Sequence, residues 1–142
     1  MTSFDKVTSI KGTVRVPSDK SISHRAFMFL AMANGKGRVI DPLLSADTKA
    51  TMAAMRAVGV QFEETVDGYV VTSNGYQNFK EPTDIIDCMN SGTSARLLTG
   101  VFAPTGKYYV LTGDDSLRNR PMDRVIDPLT QMGAKFAARN NG

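Results

Sequence analysis

Charged and hydroxyl side chains are concentrated in residues 17–25, which read PSDKSISHR and directly precede an apolar run. If a helix begins here, its free backbone N–H groups and its dipole attract an anion to its start. Lys20 and Ser21 would add a positive charge and a hydroxyl donor, and Arg25 can bind a phosphate through two parallel hydrogen bonds. The alternative is that Ser21 or Ser23 only caps the helix while the cations are solvated.

A second polar loop, CMNSGTSAR at residues 88–96, has the same character. Gly92 allows a ligand to approach the backbone closely. Asn90 and Thr93 can donate hydrogen bonds to that ligand, and Arg96 repeats the arginine of the first loop. The alternative is a capped helix in which residues 90–92 form the preceding turn.

A third loop, GDDSLRNRPM at residues 113–122, places Arg120 next to Pro121. Proline suits the first position of a helix, so Arg120 would stand at a helix entrance, where the dipole disfavours a cation. Such a local conflict indicates a functional role. The alternative is that Arg120 pairs with Asp114 or Asp115.

The remaining reactive side chains indicate no cofactor. His24, the one histidine, is predicted to lie on the helix surface or behind the site, since no Ser and Asp partners have a diagnostic spacing for general-base catalysis. Cys88 is predicted to be a buried small hydrophobe. One Cys, one His and scattered Asp residues do not make a usual metal-ligand set, and no glycine-rich nucleotide fingerprint is present. We expect neither a metal nor a cofactor.

An internal repeat would position these loops. Residues 23–40 align with 94–111 at an offset of 71, and residues 52–62 align with 126–136 at an offset of 74. Each unit reads as strand, polar loop, helix, strand and a second helix that ends at Gly59 or Gly133. The predicted strands are 13–16, 37–40, 60–64, 69–72, 85–87 and 108–111, and the predicted helices are 22–33, 47–58, 93–103 and 122–132.

The first helix of each unit is apolar nearly all round, which predicts burial on every side. The expected fold class is therefore α/β, with about two repeated units, helices inside and sheets outside. Unit one spans about 13–80 and unit two about 84–142. The second unit stops at residues 139–142, where its hairpin turn is expected, so the chain is predicted to be truncated.

Charge and composition favour a small anionic ligand. The net charge is +3, but residues 1–40 alone carry +5, which suggests an anionic partner. Nucleic acid fits poorly because Trp is absent and the aromatic residues are not interleaved with basic ones. No apolar run approaches the ~18 residues of a membrane span, and the start of the chain lacks a signal peptide. With a single cysteine, these features predict a cytoplasmic protein.

Read in order, four motifs resemble the 5-enolpyruvylshikimate-3-phosphate (EPSP) synthase family: PSDKSISHR (17–25), ADT (46–48), NSGTSAR (90–96) and LTGDDSLRNRPMDR (111–124). The resemblance covers nearly the whole chain but only the first third of a family member. It implies domains of three βαβαββ units with helices inside. It also implies transfer of the enolpyruvyl group of phosphoenolpyruvate to the 5-hydroxyl of shikimate 3-phosphate, a step of aromatic amino acid biosynthesis that needs no metal.

The resemblance also implies roles for single residues. Lys20, as the catalytic residue, would contact both substrates, and Ser21 and Arg25 would bind shikimate 3-phosphate. The pocket for phosphoenolpyruvate, where the inhibitor glyphosate also binds, would be formed by Asn90, Gly92, Thr93 and Arg120. Arg96 would be structural or would lie behind the residues that touch the substrate.

The family's acid and base lie in the later two-thirds, outside this chain, so the fragment is expected to be inactive without the missing C-terminal portion. One alternative is a non-catalytic folding or binding fragment. Another is the related transferase that acts on UDP-N-acetylglucosamine, but residues 113–119 lack its cysteine and Lys20-Ser21 replaces its Lys-Asn.

Overall fold

The computed structural model describes residues 2–139. Within them the chain forms helices α1 to α5 and strands β1 to β5, so the predicted α/β class is confirmed. In chain order the elements are α1 (Lys20–Met32), β1 (Asn34–Ile40), α2 (Ala46–Ala57), β2 (Gln61–Thr65), β3 (Gly68–Asn74), β4 (Ile86–Asp87), α3 (Gly92–Phe102), β5 (Leu111–Thr112), α4 (Asp115–Arg118) and α5 (Asp123–Gln131).

Three of the longer helices begin at polar side chains that cap them. The Ile22 N–H donates to the Asp19 carboxylate at 2.7 Å, so Asp19 caps α1. Ser45 and Ser91 cap α2 and α3 in the same way. These caps satisfy backbone donors that have no partner inside the helix. The alternative that Ser21 or Ser23 caps α1 is wrong, because the helix begins at Lys20 and both serines lie within it.

The first sheet has three antiparallel strands in the order β1-β3-β2. Strands β2 and β3 correspond to the predicted strands 60–64 and 69–72, and they form a hairpin with a two-residue turn at Val66 and Asp67. Val39 of β1 and Val71 of β3 are buried against the helices. The alternation of strand side chains therefore directs one face of the sheet towards the core.

The second sheet is a parallel pair of β4 and β5, in which Ile86 lies opposite Leu111. The Cys88 N–H extends this pairing by donating to the Thr112 carbonyl at 2.8 Å. Because the strands are parallel, the loops that leave their carboxyl ends emerge side by side. These are the second and third polar loops of the sequence.

The core lies among α1, α2, α3 and the inner face of the first sheet. Phe27, Met55 and Leu98 are completely buried there, one from each helix. Phe27 also meets the rings of Phe62 and Tyr69 edge-to-face, with centroids 5.8 and 6.0 Å apart. The predicted helix ends at Gly59 and Gly133 are confirmed, with φ values of +100° and +99°.

Several elements of the structure differ from those predicted from the sequence. Residues 13–16 form no strand, because they have no ladder partner within residues 2–139. The first helices are not buried on every side, since Phe29 is 64% exposed and Leu97 is 42% exposed. Pro121 lies outside α5, which begins at Asp123, and the short helix α4 lacks a counterpart among the expected elements. The turn expected at 139–142 falls almost entirely outside the described residues.

Candidate anion-binding site

The centre of the candidate site is the beginning of α3, where Gly92 is the first helical residue. A Cβ atom on Gly92 would lie 2.6 Å from Arg96 Nη1 and 3.1 Å from Arg120 Nη1, so both guanidinium groups lie against this residue. We call Asn90, Gly92, Arg96 and Arg120 the arginine cluster. Two cations beside the positive end of a helix dipole form an environment that favours an anion.

Asn90 joins the second loop to the third. Its side-chain oxygen accepts from Arg120 Nη2 at 2.8 Å, and its side-chain nitrogen donates to Asp114 at 2.6 Å. The Asp114 N–H donates to the Met89 carbonyl at 2.8 Å. The parallel strands β4 and β5 therefore bring Arg120 to Asn90 across 30 residues of sequence.

Arg96 has a bracing role within the arginine cluster. It donates to the Pro121 carbonyl at 2.7 Å and more weakly to the Gly92 carbonyl at 3.4 Å. Arg120 also reaches Ser116 Oγ, at 3.2 Å. Arg120 therefore contacts Asn90 and Ser116 and makes no ion pair with Asp114 or Asp115 within residues 2–139.

Asp114 is an acidic residue that contacts the arginine cluster, through its hydrogen bond from Asn90. The hydrogen bond from Asn90, and then the one from the Leu117 N–H, hold the pKa of its carboxyl below the usual value. It stays ionised and caps α4. Asp114 therefore fixes the amide of Asn90 while the Arg120 guanidinium keeps hydrogen-bonding capacity for a ligand.

Lys20, the first residue of α1, forms an ion pair with Asp47 at 3.0 Å. Its side chain is 46% exposed, so the ammonium group faces solvent as well as Asp47. The backbone carbonyl of Asp47 in turn accepts from Ser94 Oγ of α3 at 3.1 Å. The beginnings of α1, α2 and α3 are thus joined through Asp47.

Within the described part of the chain, the other expected site residues make no side-chain hydrogen bond with the residues of the candidate site. Ser21 and Arg25 are exposed and have no side-chain hydrogen bond within residues 2–139. Thr93 is half-buried and likewise makes no side-chain hydrogen bond there. The structure therefore brings Asn90, Gly92 and Arg120 together and leaves Ser21, Arg25 and Thr93 without contacts that assign them a role.

The sequence does not identify Asp47, Asp114 and Ser94 as parts of the site. The motif ADT at residues 46–48 is the one signal for Asp47. The third loop indicates Asp114 only as a possible ion-pair partner of Arg120. Their contacts span 24 to 47 residues of sequence, so local pattern does not show them.

Two further expectations concern His24 and Cys88. Cys88 is buried as predicted, and this burial raises the pKa of its thiol to about 12. His24 is completely buried in the core, so the expectation of a helix-surface position is wrong. Within residues 2–139, no group of three His, Cys, Asp or Glu side chains could hold a metal ion. No helix there is long and apolar enough to cross a lipid bilayer.

Known proteins resemble this chain over its whole length. The family model described as EPSP synthase (3-phosphoshikimate 1-carboxyvinyltransferase) matches residues 4–142. The protein of that name from Aquifex aeolicus is 45% identical over 142 residues, which are all of this chain and 33% of the relative. The one from Acidiphilium cryptum is 49% identical over 142 residues, covering 99% of this chain and 32% of the relative.

A solved structure of EPSP synthase from Acinetobacter baumannii has the same fold in the matching region. It superimposes with a TM-score of 0.85 and 40% sequence identity, over 92% of this chain and 30% of that one. The chain therefore spans about a third of the length of the relatives that it matches.

Proposed function

Because the chain belongs to the EPSP synthase family, we propose that it supplies part of the substrate site of a 3-phosphoshikimate 1-carboxyvinyltransferase. In that reaction the 5-hydroxyl oxygen of shikimate 3-phosphate gives up its proton to a base and adds to C2 of phosphoenolpyruvate, while C3 gains a proton. A proton is then lost from C3 as the bond between C2 and the phosphate oxygen breaks, which releases inorganic phosphate and leaves the enolpyruvyl ether. Both substrates are polyanions, which matches the excess positive charge of residues 1–40.

The observation that carries the proposal is the convergence of Arg96 and Arg120 on Gly92 at the start of α3. Gly92 has no side chain to keep an anion away from the helix N–H groups. Arg120 would bind phosphoenolpyruvate, and Asn90, Gly92 and Thr93 would line its pocket. Glyphosate, an anion of similar size, would compete for the same place.

Lys20 would contact both substrates from the beginning of α1, as the catalytic residue of this portion. Its present partner, Asp47, lies 3.0 Å away, so a bound anion would have to share the ammonium group with a carboxylate. Ser21 and Arg25 would bind shikimate 3-phosphate. Both are exposed at the start of the same helix, as a substrate-binding role requires.

The site would be completed by residues outside this chain. We place it in the N-terminal third of the parent enzyme and assign residues 13–80 and 84–142 to two repeats of one βαβαββ unit. The acid and base would come from the C-terminal portion, which is the protein partner that this chain needs. The parent enzyme would work in the cytoplasm.

A fused enzyme tests this proposal. Residues 1–142 would replace the matching third of the Aquifex aeolicus relative, and phosphate release from phosphoenolpyruvate would be measured with shikimate 3-phosphate present. We expect steady turnover from the fusion and none from the 142-residue chain alone, because general acid–base catalysis needs groups within hydrogen-bond reach of the moving proton.

Two substitutions in the fused enzyme test whether Lys20 and Arg120 bind the substrates. Lys20→Met and Arg120→Met should each lower kcat/KM by about a hundredfold or more, because each removes a charge-assisted contact with a polyanion. Lys49→Met on α2 is the matched control, since Lys49 is an exposed cation outside the site. A well-folded fusion without turnover, or one in which all three variants behave alike, would contradict the proposal and favour a non-catalytic fragment.

A further inference from the structure

A chain of hydrogen bonds between buried side chains joins the three core helices. His24 Nδ1 of α1 lies 2.8 Å from Thr51 Oγ1 of α2, which lies 2.8 Å from Ser94 Oγ of α3. Ser94 Oγ continues to Ser91 Oγ at 2.7 Å. All four side chains are completely buried. We call His24, Thr51, Ser94 and Ser91 the helix-linking chain.

The partners at the α3 end set the direction of these hydrogen bonds. Ser94 Oγ lies within hydrogen-bond distance of the Asp47 carbonyl, which can only accept. The Asp47 carbonyl and Ser91 Oγ are two acceptors on the α3 side, and they favour a Ser94 hydroxyl proton that points away from Thr51. In that arrangement Thr51 donates its own proton to Ser94 and accepts the proton of His24 Nδ1.

This direction fixes the tautomer of His24. A histidine that carries its proton on Nδ1 has a bare lone pair on Nε2. His24 Nε2 is buried and has no hydrogen-bond partner within residues 2–139. A second proton on Nε2 would be a buried donor without an acceptor, which costs more than an unpaired lone pair.

The charges around the ring agree with a neutral imidazole. Burial lowers the pKa of His24. The nearby Asp47 carboxylate raises this pKa, and the Lys20 ammonium group lowers it. Burial has the largest effect of the three. His24 is therefore neutral at neutral pH and donates from a single nitrogen.

The helix-linking chain ends at the residues that shape the candidate site. Ser91 caps α3 by accepting from the Ser94 N–H at 3.0 Å, directly between Asn90 and Gly92. The Asp47 carbonyl that accepts from Ser94 belongs to the residue whose carboxylate holds Lys20. A shift of Ser94 would therefore move the start of α3 relative to the Lys20–Asp47 pair.

We propose that His24 is a positioning residue, which donates from Nδ1 through Thr51 and Ser94 and so fixes the arginine cluster relative to Lys20. It touches no substrate and transfers no proton. Its role for catalysis rests on the function proposed above. Its role in ordering the start of α3 does not, so the two can fail separately.

The tautomer is the first test, and it needs no ligand. His24 is the chain's one histidine, so ¹⁵N NMR of the 142-residue chain shows a single imidazole. We expect the neutral form protonated on Nδ1 at pH 7, with two-bond couplings that identify Nε2 as the bare nitrogen. An Nε2-protonated or cationic ring, or rapid exchange between tautomers, would overturn the proposal.

Two amide substitutions form the second test. The His24→Asn side chain can place an N–H near the Nδ1 position, whereas His24→Gln extends towards the Nε2 position and misses Thr51. We expect His24→Asn to leave the Gly92 and Ser94 amide signals near their wild-type positions. In His24→Gln both signals should shift, and their hydrogen exchange should become about fivefold faster or more because one buried hydrogen bond is lost. Equal behaviour of the two variants would overturn the proposal.

A third variant covers the case in which neither amide variant folds. Thr51→Val keeps the shape of the side chain and removes the hydroxyl, which breaks the helix-linking chain in the middle. It should release His24 from the Nδ1 tautomer and shift the Gly92 amide signal. An unchanged tautomer would contradict the proposed direction. In the fused enzyme the same variant should lower kcat more than it raises KM for phosphoenolpyruvate, and an unchanged kcat would refute the catalytic part alone.

Discussion

Gly92 is the residue of the candidate site that is most sensitive to added volume. A Cβ atom there would lie 2.6 Å from Arg96 Nη1 and 3.1 Å from Arg120 Nη1, so Gly92→Ala would push at least one guanidinium group aside. We expect phosphoenolpyruvate and glyphosate to bind the fused enzyme about tenfold more weakly, because one charge-assisted contact is displaced. Isothermal titration calorimetry measures both affinities.

Gly100, in the same helix, supplies a matched control. A Cβ atom on Gly100 would meet nothing within 4 Å. Gly100→Ala should therefore leave ligand affinity unchanged and raise the free energy of unfolding by about 0.5–1 kcal/mol, as alanine does in a helix interior. Equal affinities for the two variants would show that Gly92 does not border the anion.

The sequence predicts membership of the candidate site for residues whose type and local motif indicate ligand binding. Asn90, Gly92 and Arg120 were expected in one site because of residue type and because their motifs resemble those of a family, and the structure brings them together. The contacts of Asp47 and His24 could not be predicted from the sequence. Their contacts with Lys20 and Thr51 each cross 27 residues, and only the packing of α1 on α2 creates them.

At the scale of elements, the start of α1 offers a direct comparison between a cap and a helical serine. Asp19→Ala removes the carboxylate that accepts from the Ile22 N–H and should lower the free energy of unfolding by about 0.5–2 kcal/mol. Ser21→Ala should change it by less than about 0.5 kcal/mol, because Ser21 is exposed and caps nothing. Urea unfolding of both variants measures the difference, and a larger effect at Ser21 would contradict the assignment of the cap.

The bounds of the helices are easier to predict from this sequence than the strands. Helices α2, α3 and α5 agree with the predicted bounds to within one residue and α1 to within two, since apolar periodicity and terminal glycines are local signals. The strand expected at 13–16 is absent because a strand needs a neighbouring strand to bond with, and local sequence does not supply one. In the second unit, β4 has such a neighbour in β5.

At the scale of the whole molecule, the burial of His24 in the helix-linking chain makes the free energy of unfolding depend on pH. The pKa of His24 is lowered in the folded state, whereas in the unfolded chain it is about 6.5. Above that value both states carry a neutral ring, and the histidine adds no pH dependence. As the pH falls below 6.5, the unfolded state binds a proton that the folded state excludes, so stability decreases until the pH passes the folded pKa.

Urea unfolding of the 142-residue chain between pH 7.5 and 5 measures this effect. The free energy of unfolding should be constant down to about pH 6.5 and then fall, by at most about 1.4 kcal/mol per pH unit for one proton. His24→Asn should remove the slope, since the carboxylates titrate mainly below this range. A slope of equal size in His24→Asn would assign the pH dependence to other groups. A flat profile for the unsubstituted chain would mean that the buried ring accepts its second proton without cost, and the three core helices would then not depend on a neutral His24 for their alignment.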